Sequence, residues 1–202
     1  MTMTFEGGIC KVYEGRYTND ILLPFSSYEK FNGMMDKSSF PIPVKGFRRQ
    51  SFLHRNFSML SSILKKYLGS NGAEMYSGTF QQDSVNLLFH VFINAAAQVA
   101  NHDVIGRCTV SGIADGDIVI SIKNGPQAAL RVDSQNVKRL QDVPENPTAR
   151  LEFSCLEVAR DVFERKQIIP YYLGTGQIQP EGHIGLLQPL YRLMDRVAVY
   201  LS

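Results

Sequence analysis

The sequence predicts an α+β fold: five short strands with helices before, between and after them, preceded by an N-terminal extension. Three observations predict it. Apolar residues recur at three- and four-residue steps in Leu53, Phe57, Leu60, Leu64, Leu68 and again in Val85, Leu88, Phe89, Phe92, Ala96, Val99, the spacing of one helix face. Between residues 105 and 132 the pattern changes to alternation, punctuated by Asp115-Gly116 and Asn124-Gly125, dipeptides suited to tight hairpins because both central positions accept positive φ. The last third then reads strand, helix, proline break, glycine-bounded strand and apolar helix.

Residues 1–46 are rich in Gly, Pro, Ser and Asn and read as an irregular arm with one short strand or helix. Ser26, with Glu29 three residues on, marks a helix start, and Phe40-Pro41-Ile42-Pro43 reads as extended because a residue before proline is pushed out of the helical region. Residues 47–82 hold a basic amphipathic helix, about 49–68, stopped by Gly69 and the following Ser-Asn-Gly. Residues 83–202 form the main domain. Its first helix, about 83–101, is apolar nearly all round and therefore buried.

Strands are expected over 105–113, 117–123 and 127–132, with Ile118, Ile120 and Ile122 on one face of the second. A polar connection with Pro144 and Pro147 leads to a fourth strand, 149–153. Ser154 and Glu157 have capping-box spacing for a helix running to Lys166. Pro170-Tyr171-Tyr172-Leu173 suits a short helical turn closed by Gly174 and Gly176. Strand 177–181 belongs at a sheet edge because Pro180 cannot donate to a ladder, and a last helix from Gly185 carries Leu186, Leu190, Leu193 and Val197 in one stripe.

The 202 residues carry a formal charge of +2, unevenly spread. Residues 37–73 hold seven basic side chains and no acid, leaving −5 for the rest, so this segment is the one that could meet phosphates of lipid or nucleic acid. No basic-then-apolar leader opens the chain and no window reaches the roughly 18 apolar residues of a membrane span, which points to the cytoplasm, with peripheral membrane attachment open. Cys10, Cys108 and Cys155 are odd in number and far apart, which argues for a reducing compartment and against disulfides or zinc. Cys108 and Cys155 read as buried, inert thiols, and His90 as a satisfied buried side chain. His54, His90, His102 and His183 lack ligand spacing, and no nucleophile elbow, phosphate loop or dinucleotide fingerprint occurs, so neither a metal, a cofactor nor catalysis is expected.

The order of elements resembles the sterol-carrier-protein (type two) domain over about residues 83–201. The resemblance is carried by LEFSCLEVARDVFERK, PYYLGTGQIQPEG and HIGLLQPLYRL, with Gly176, Gly182 and Gly185 at the family's glycine positions, and by the Lys123-Asn124-Gly125 turn after the second strand. It implies a curved, mostly antiparallel five-stranded sheet covered by helices, with an apolar tunnel between them for a sterol, fatty acid, acyl-CoA or isoprenoid-type lipid. Pro180 in the edge strand and the absence of a terminal Ser-Lys-Leu address depart from it.

On that reading Phe89, Phe92, Phe163, Tyr171, Tyr172, Leu173, Leu186, Leu190, Leu193 and Met194 are candidates for the tunnel wall; core packing is the alternative for each. Tyrosine hydroxyls at the mouth would orient a headgroup. Arg48, Arg49, Arg55, Lys65 and Lys66 are candidates for docking on an anionic membrane or a partner; a solvated basic face is the alternative. The expected partner is a lipid or other apolar small molecule held without catalysis. Nucleic acid is disfavoured and a homodimer stays open. The alternative function is an accessory or interaction protein, for example in lipid or quinone biosynthesis, whose core is filled and which acts through the basic helix.

Overall fold

The computed structural model describes residues 2–7, 9–13, 15–35, 42–52, 55–56, 58–68 and 78–201. It divides into two units, residues 1–65 and 66–202. In the first, β1 (Thr2–Glu6) and β2 (Ile9–Tyr13) pair antiparallel. Gly7 turns between them at φ 56°, so the arm is more ordered than the irregular segment expected. The Thr2 hydroxyl donates to the Gly15 carbonyl at 3.0 Å and accepts from the Tyr17 amide at 3.1 Å, holding the chain that leaves the hairpin.

α1 (Tyr28–Met35) is capped by Ser27 rather than Ser26: the Lys30 amide donates to the Ser27 hydroxyl. Leu22 and Lys45 form an isolated antiparallel bridge. A 3₁₀ turn (Phe47–Arg49) then runs into α2 (Gln50–Phe52), and α3 (Ser58–Leu68) follows. These stand where one basic helix was expected; Leu53 and Phe57 of its stripe, and the stop at Gly69, lie outside the described residues, as do Phe40 and Pro41. Met59, Ile63 and Leu64 of α3 are exposed.

The second unit is built on α4 (Thr79–His102), whose Phe89, Phe92, Ile93, Ala96 and Ala100 are fully buried. α5 (Val104–Val110) follows at once, where a strand over 105–113 was expected. The β-branched residues of VIGRCTV suggest a strand, but the local chemistry favours a helix. Asp103 closes α4 and caps α5, its carboxylate accepting from the Gly106 amide at 2.8 Å. Gly106 permits the corner, since a Cβ there would sit 2.0 Å from the Val99 carbonyl oxygen. Gly106 and Val110 turn inward and Cys108 outward, so Cys108 is exposed rather than buried, and Cys155 is only half-buried. Asp115-Gly116 is consequently a helix-to-strand link, not a hairpin.

β3 (Gly116–Ile122), β4 (Gln127–Asp133), β5 (Asn136–Arg139), β6 (Ala149–Phe153) and β7 (Ile178–Gly182) form one sheet in the order β5-β4-β3-β6-β7. All neighbours are antiparallel except β3 and β6, which run parallel. The β3–β4 hairpin turns at Asn124 (φ 57°), with the Gly125 amide donating to the Ile122 carbonyl. β5 replaces part of the expected polar connection. Its turn is made by Ser134 and Gln135, both at positive φ, with the Ser134 amide donating to Asp115. Neither residue announces such a turn as Asn-Gly does.

Register puts Ile118, Ile120, Ile122, Leu130, Ala128, Leu151, Phe153 and Ile178 on the helix side. The other side carries charged pairs such as Arg131–Asp117, bonded at 2.7 and 2.8 Å. Val119 and Ser121 are nonetheless buried in the middle of that face. At the β5 edge the Asn101 side chain acts as a strand residue would: its amide donates to the Val137 carbonyl at 2.7 Å and its oxygen accepts from the Val137 amide at 2.9 Å. The free edge of β5 is thereby pinned to α4.

α6 (Leu156–Phe163) is shorter than expected and lacks the Ser154–Glu157 capping box: Cys155 is the cap residue and no side chain bonds there. It stops in a Schellman turn, with the Arg165 amide donating to the Val162 carbonyl and the Lys166 amide to the Asp161 carbonyl, and Arg165 at φ 56° in the place glycine usually takes. α7 (Ile169–Gly174) carries Pro170 in its first turn, and β7 with Pro180 is an edge strand. α8 (Ile184–Leu201) buries Leu186, Leu187, Leu190, Leu193, Met194 and Val197.

Gly106→Ala tests the α4–α5 corner. It is expected to cost about 2–3 kcal/mol in urea unfolding, since the new methyl meets backbone that cannot yield. Gly174→Ala, where a Cβ meets nothing within 4 Å, should be neutral or stabilising; equal effects of the two would refute the steric account.

Candidate functional site

The interior between sheet and helices is the first place where the expected residues meet. Phe92 of α4 stacks on Phe163 of α6 with ring centroids 4.5 Å apart at 29°, and Phe89 and Phe153 approach Phe163 at 6.3 and 5.9 Å. Leu186, Leu190, Leu193 and Met194 of α8 belong to the same buried cluster, as does Tyr172. Leu173 packs at its margin. Tyr171 stands apart, 52% exposed, its ring 5.3 Å from that of Tyr172.

Polar groups at this interior are few, and the Nη2 of Arg160 is buried without a hydrogen-bond partner among the described residues. The Tyr172 hydroxyl donates to Asp161 at 2.8 Å, and burial, aided by the neighbouring carboxylate, pushes its pKa up to about 12. Arg160, almost wholly buried, donates to Glu164 at 3.0 Å, and the Lys166 ammonium lies 3.0 Å from the same carboxylate. His90 is half-buried rather than enclosed. Its Nδ1 accepts from Arg139 at 3.1 Å, and burial together with that guanidinium lowers its pKa. Such groups fix side chains; none pairs a nucleophile with a base.

A second feature is barely marked in the sequence. α5, the turn from α6 to α7, and one face of α8 enclose a groove of about 600 Å³. Ile105, Val162, Ile168 and Val199 supply its apolar surface, and Arg165, Arg192, Asp195 and Arg196 its charges. Residues 192, 195, 196 and 199 fall on one helix face, the only hint the sequence offers. Asp195 is raised by burial, an effect that Arg165 opposes.

Arg196 is committed to the corner below the groove. It donates to Asp103 at 3.0 and 3.4 Å, and the Tyr200 hydroxyl donates to the same carboxylate at 2.6 Å. With the Gly106 amide, these bonds, led by that of Arg196, hold the Asp103 carboxyl well below its ordinary range.

The docking candidates are less gathered. Arg48, Arg49, Arg55, Lys65 and Lys66 are all exposed. Arg49 pairs with Asp20 at 2.9 Å, and the Lys66 ammonium stands 5.2 Å from the centre of the Phe80 ring. Lys65 closes the first unit and Lys66 opens the second, so the set does not share one body. Among the described residues no helix is long and apolar enough to cross a membrane, and no group of three His, Cys, Asp or Glu is disposed to hold a metal.

Because the Asp103 pKa is depressed in the fold, its bonds stabilise fully above the unfolded value near 3.8 and are lost as pH falls through and below it. Urea midpoints taken from pH 7 to pH 2.5 should therefore fall less steeply for Asp103→Asn than for the unaltered chain. Parallel curves would show that this carboxylate contributes nothing to acid lability.

No protein-family model and no curated protein matches the sequence. Among solved structures, 57% of the chain is similar to 94% of UbiJ-SCP2, a ubiquinone synthesis protein, at 14% identity and a TM-score of 0.40. It is similar over 61% of its length to 95% of the sterol carrier protein domain 2 of Helicoverpa armigera, at 18% identity and a TM-score of 0.40. A third likeness, to Sterol Carrier Protein 2 Like 2 of Aedes aegypti, covers 54% of this chain and 97% of that one, at 15% identity and a TM-score of 0.38. These likenesses to sterol-carrier-protein domains extend over somewhat more than half of the chain.

Proposed function

We propose that residues 66–202 hold a lipid or other apolar small molecule between the sheet and α4, α6 and α8, without transforming it. The observation that carries this reading is the composition of that interior. Four phenylalanines, the α8 leucines and a flexible methionine line it. Of the polar groups at its edge, the Tyr172 hydroxyl is bonded to Asp161 and the Arg160 Nε to Glu164, which leaves the buried Arg160 Nη2 without a partner among the described residues. Contact there is non-directional, and each methylene transferred from water stabilises by about 0.8 kcal/mol, so an extended chain binds without a polar anchor. Entry requires the Phe163 and Met194 side chains to give way, which methionine does readily. In this reading Tyr171, exposed beside Tyr172, stands at the approach to the interior.

The basic segment 37–73 completes the proposal as a docking element for an anionic membrane. Met59, Ile63 and Leu64 of α3 are exposed beside Lys65, the pairing of apolar and cationic side chains that such contact uses. A second reading is favoured by the tightness of the Phe92–Phe163 stack: the interior is filled by its own side chains, and the chain acts as an accessory protein through its first unit.

Mass spectrometry of an organic extract of the purified full chain separates the two. The carrier reading expects a lipid at a substantial fraction of one mole per mole of protein. An extract without lipid, together with no uptake of a fluorescent fatty acid, refutes it in favour of the filled core.

A further inference from the structure

In the first unit a groove of about 640 Å³ runs along the open edge of β1. Every residue of β1, from Thr2 to Glu6, lines it. Successive side chains of a strand point to opposite faces, so a recess that touches all of them follows the main chain and not one face. Across from the strand stand residues 18–21, with Arg48, Arg49 and Phe52. Among the described residues β1 is paired on one side only, to β2. Glu6 and Ile9 flank a two-residue loop and close the hairpin as a bonded pair. The ladder alternates from there, which turns the amides and carbonyls of Met3 and Phe5 outward to the groove.

We propose that this groove binds an extended, acidic peptide segment of another protein as a third strand beside β1. The N–H and C=O groups of Met3 and Phe5 supply the ladder, and a strand of this length spans about 17 Å, enough for a short recognition motif. On the facing wall the Asn19 side-chain oxygen is enclosed without a bond among the described residues, an acceptor that an incoming amide satisfies. Met3 and Phe5 are exposed, and the Phe5 ring centre lies 6.2 Å from that of Phe52, so alternate side chains of the segment find apolar contact. Charge selects an acid. Arg49 takes Asp20, Arg48 makes no ion pair among the described residues, and the Lys45 ammonium sits on the Asn19 carbonyl at the same wall. Glu6, at the turn end, is the groove's remaining acid. Residues 1–65 together hold nine basic side chains against five acidic ones, a field that draws an anionic segment. A second copy of the chain is a poorer occupant: its β1 brings β2 with it, and a groove walled on both sides admits one strand.

The test is fluorescence anisotropy of a labelled hexapeptide of alternating glutamate and valine, titrated with the full chain. It is compared with the same peptide N-methylated at every amide and with a lysine–valine counterpart. Met3→Pro removes an outward N–H that the hairpin does not use, a change that a sheet edge tolerates, and Met3→Ala is its control. Arg48→Gln removes the unpaired cation. Far-UV circular dichroism checks the fold of each variant, and the methylated peptide puts the same question to the unaltered chain.

The acidic peptide is expected to bind about tenfold tighter than the lysine peptide, the scale of a charge-assisted contact, and Arg48→Gln should narrow that gap. Methylation of the peptide and Met3→Pro should each weaken binding by about tenfold or more, as ladder bonds are lost, while Met3→Ala keeps most of it. No binding of the acidic peptide, equal binding of the acidic and basic peptides, or full binding of the methylated peptide overturns the proposal. Equal losses in Met3→Ala and Met3→Pro would show a side-chain contact and refute strand addition. If the unaltered chain is a dimer in sedimentation equilibrium that Met3→Pro dissociates, the edge serves a second copy and the proposal is overturned in that direction. None of these results bears on lipid binding by residues 66–202.

Discussion

β3 is paired on both sides, antiparallel to β4 and parallel to β6, and the direction of β6 decides where everything after it lies. A hairpin cannot return a parallel strand, so the chain must leave β3, complete β4 and β5, and cross back over residues 140–148 before β6 begins. Because β6 runs with β3, Phe153 arrives beside Ile122 and its carbonyl accepts from the Lys123 amide at 2.9 Å. α6 therefore starts beside the Asn124 turn, and its last residue brings Phe163 over Phe92 and Phe89 of α4. The aromatic interior follows from a strand direction.

α4 is held at two further points. Asn101 pairs with Val137 at the sheet edge, and Asp103 ends the helix while capping α5 and receiving Arg196 and Tyr200 from α8. Asp103 thus joins three helices through one carboxylate, only 10% exposed. The groove lies against this corner, so the relative position of α5 and α8 that shapes it is set by charge-assisted bonds, while the interior is set by apolar packing.

Much of this was legible in the residues because local chemistry and tertiary packing agree. The stripes of α4 and α8, Asn124-Gly125 and the edge proline Pro180 each say locally what the fold requires globally. The misreadings fall where the two part. VIGRCTV has strand-like side chains, and only the joint effect of Asp103 and Gly106, a cap and a missing Cβ, makes it a helix. β5 went unseen because Ser134 and Gln135 take left-handed conformations that their side chains do not advertise. The Ser154–Glu157 spacing matched a capping box that does not form. Most of the tunnel candidates form one apolar cluster, Tyr171 excepted; whether such a set packs on itself or on a ligand is not a property of spacing.

The groove was hidden for a different reason. The basic run 37–73 draws notice because no acid interrupts it. The groove's arginines come from residues 165, 192 and 196, with acids nearby in sequence at Asp161, Glu164 and Asp195, so along the chain their charges look cancelled. Folding redistributes them. Asp161 is taken by the Tyr172 hydroxyl, Glu164 by Arg160 and Lys166, and Asp103, ninety-three residues away, takes Arg196. Only after those assignments do Arg165 and Arg192 stand opposite Asp195 alone. The local charge of a groove is thus a tertiary quantity: in this chain residues from segments of ordinary composition bring three arginines to one groove, whereas the conspicuous basic run is divided between two units.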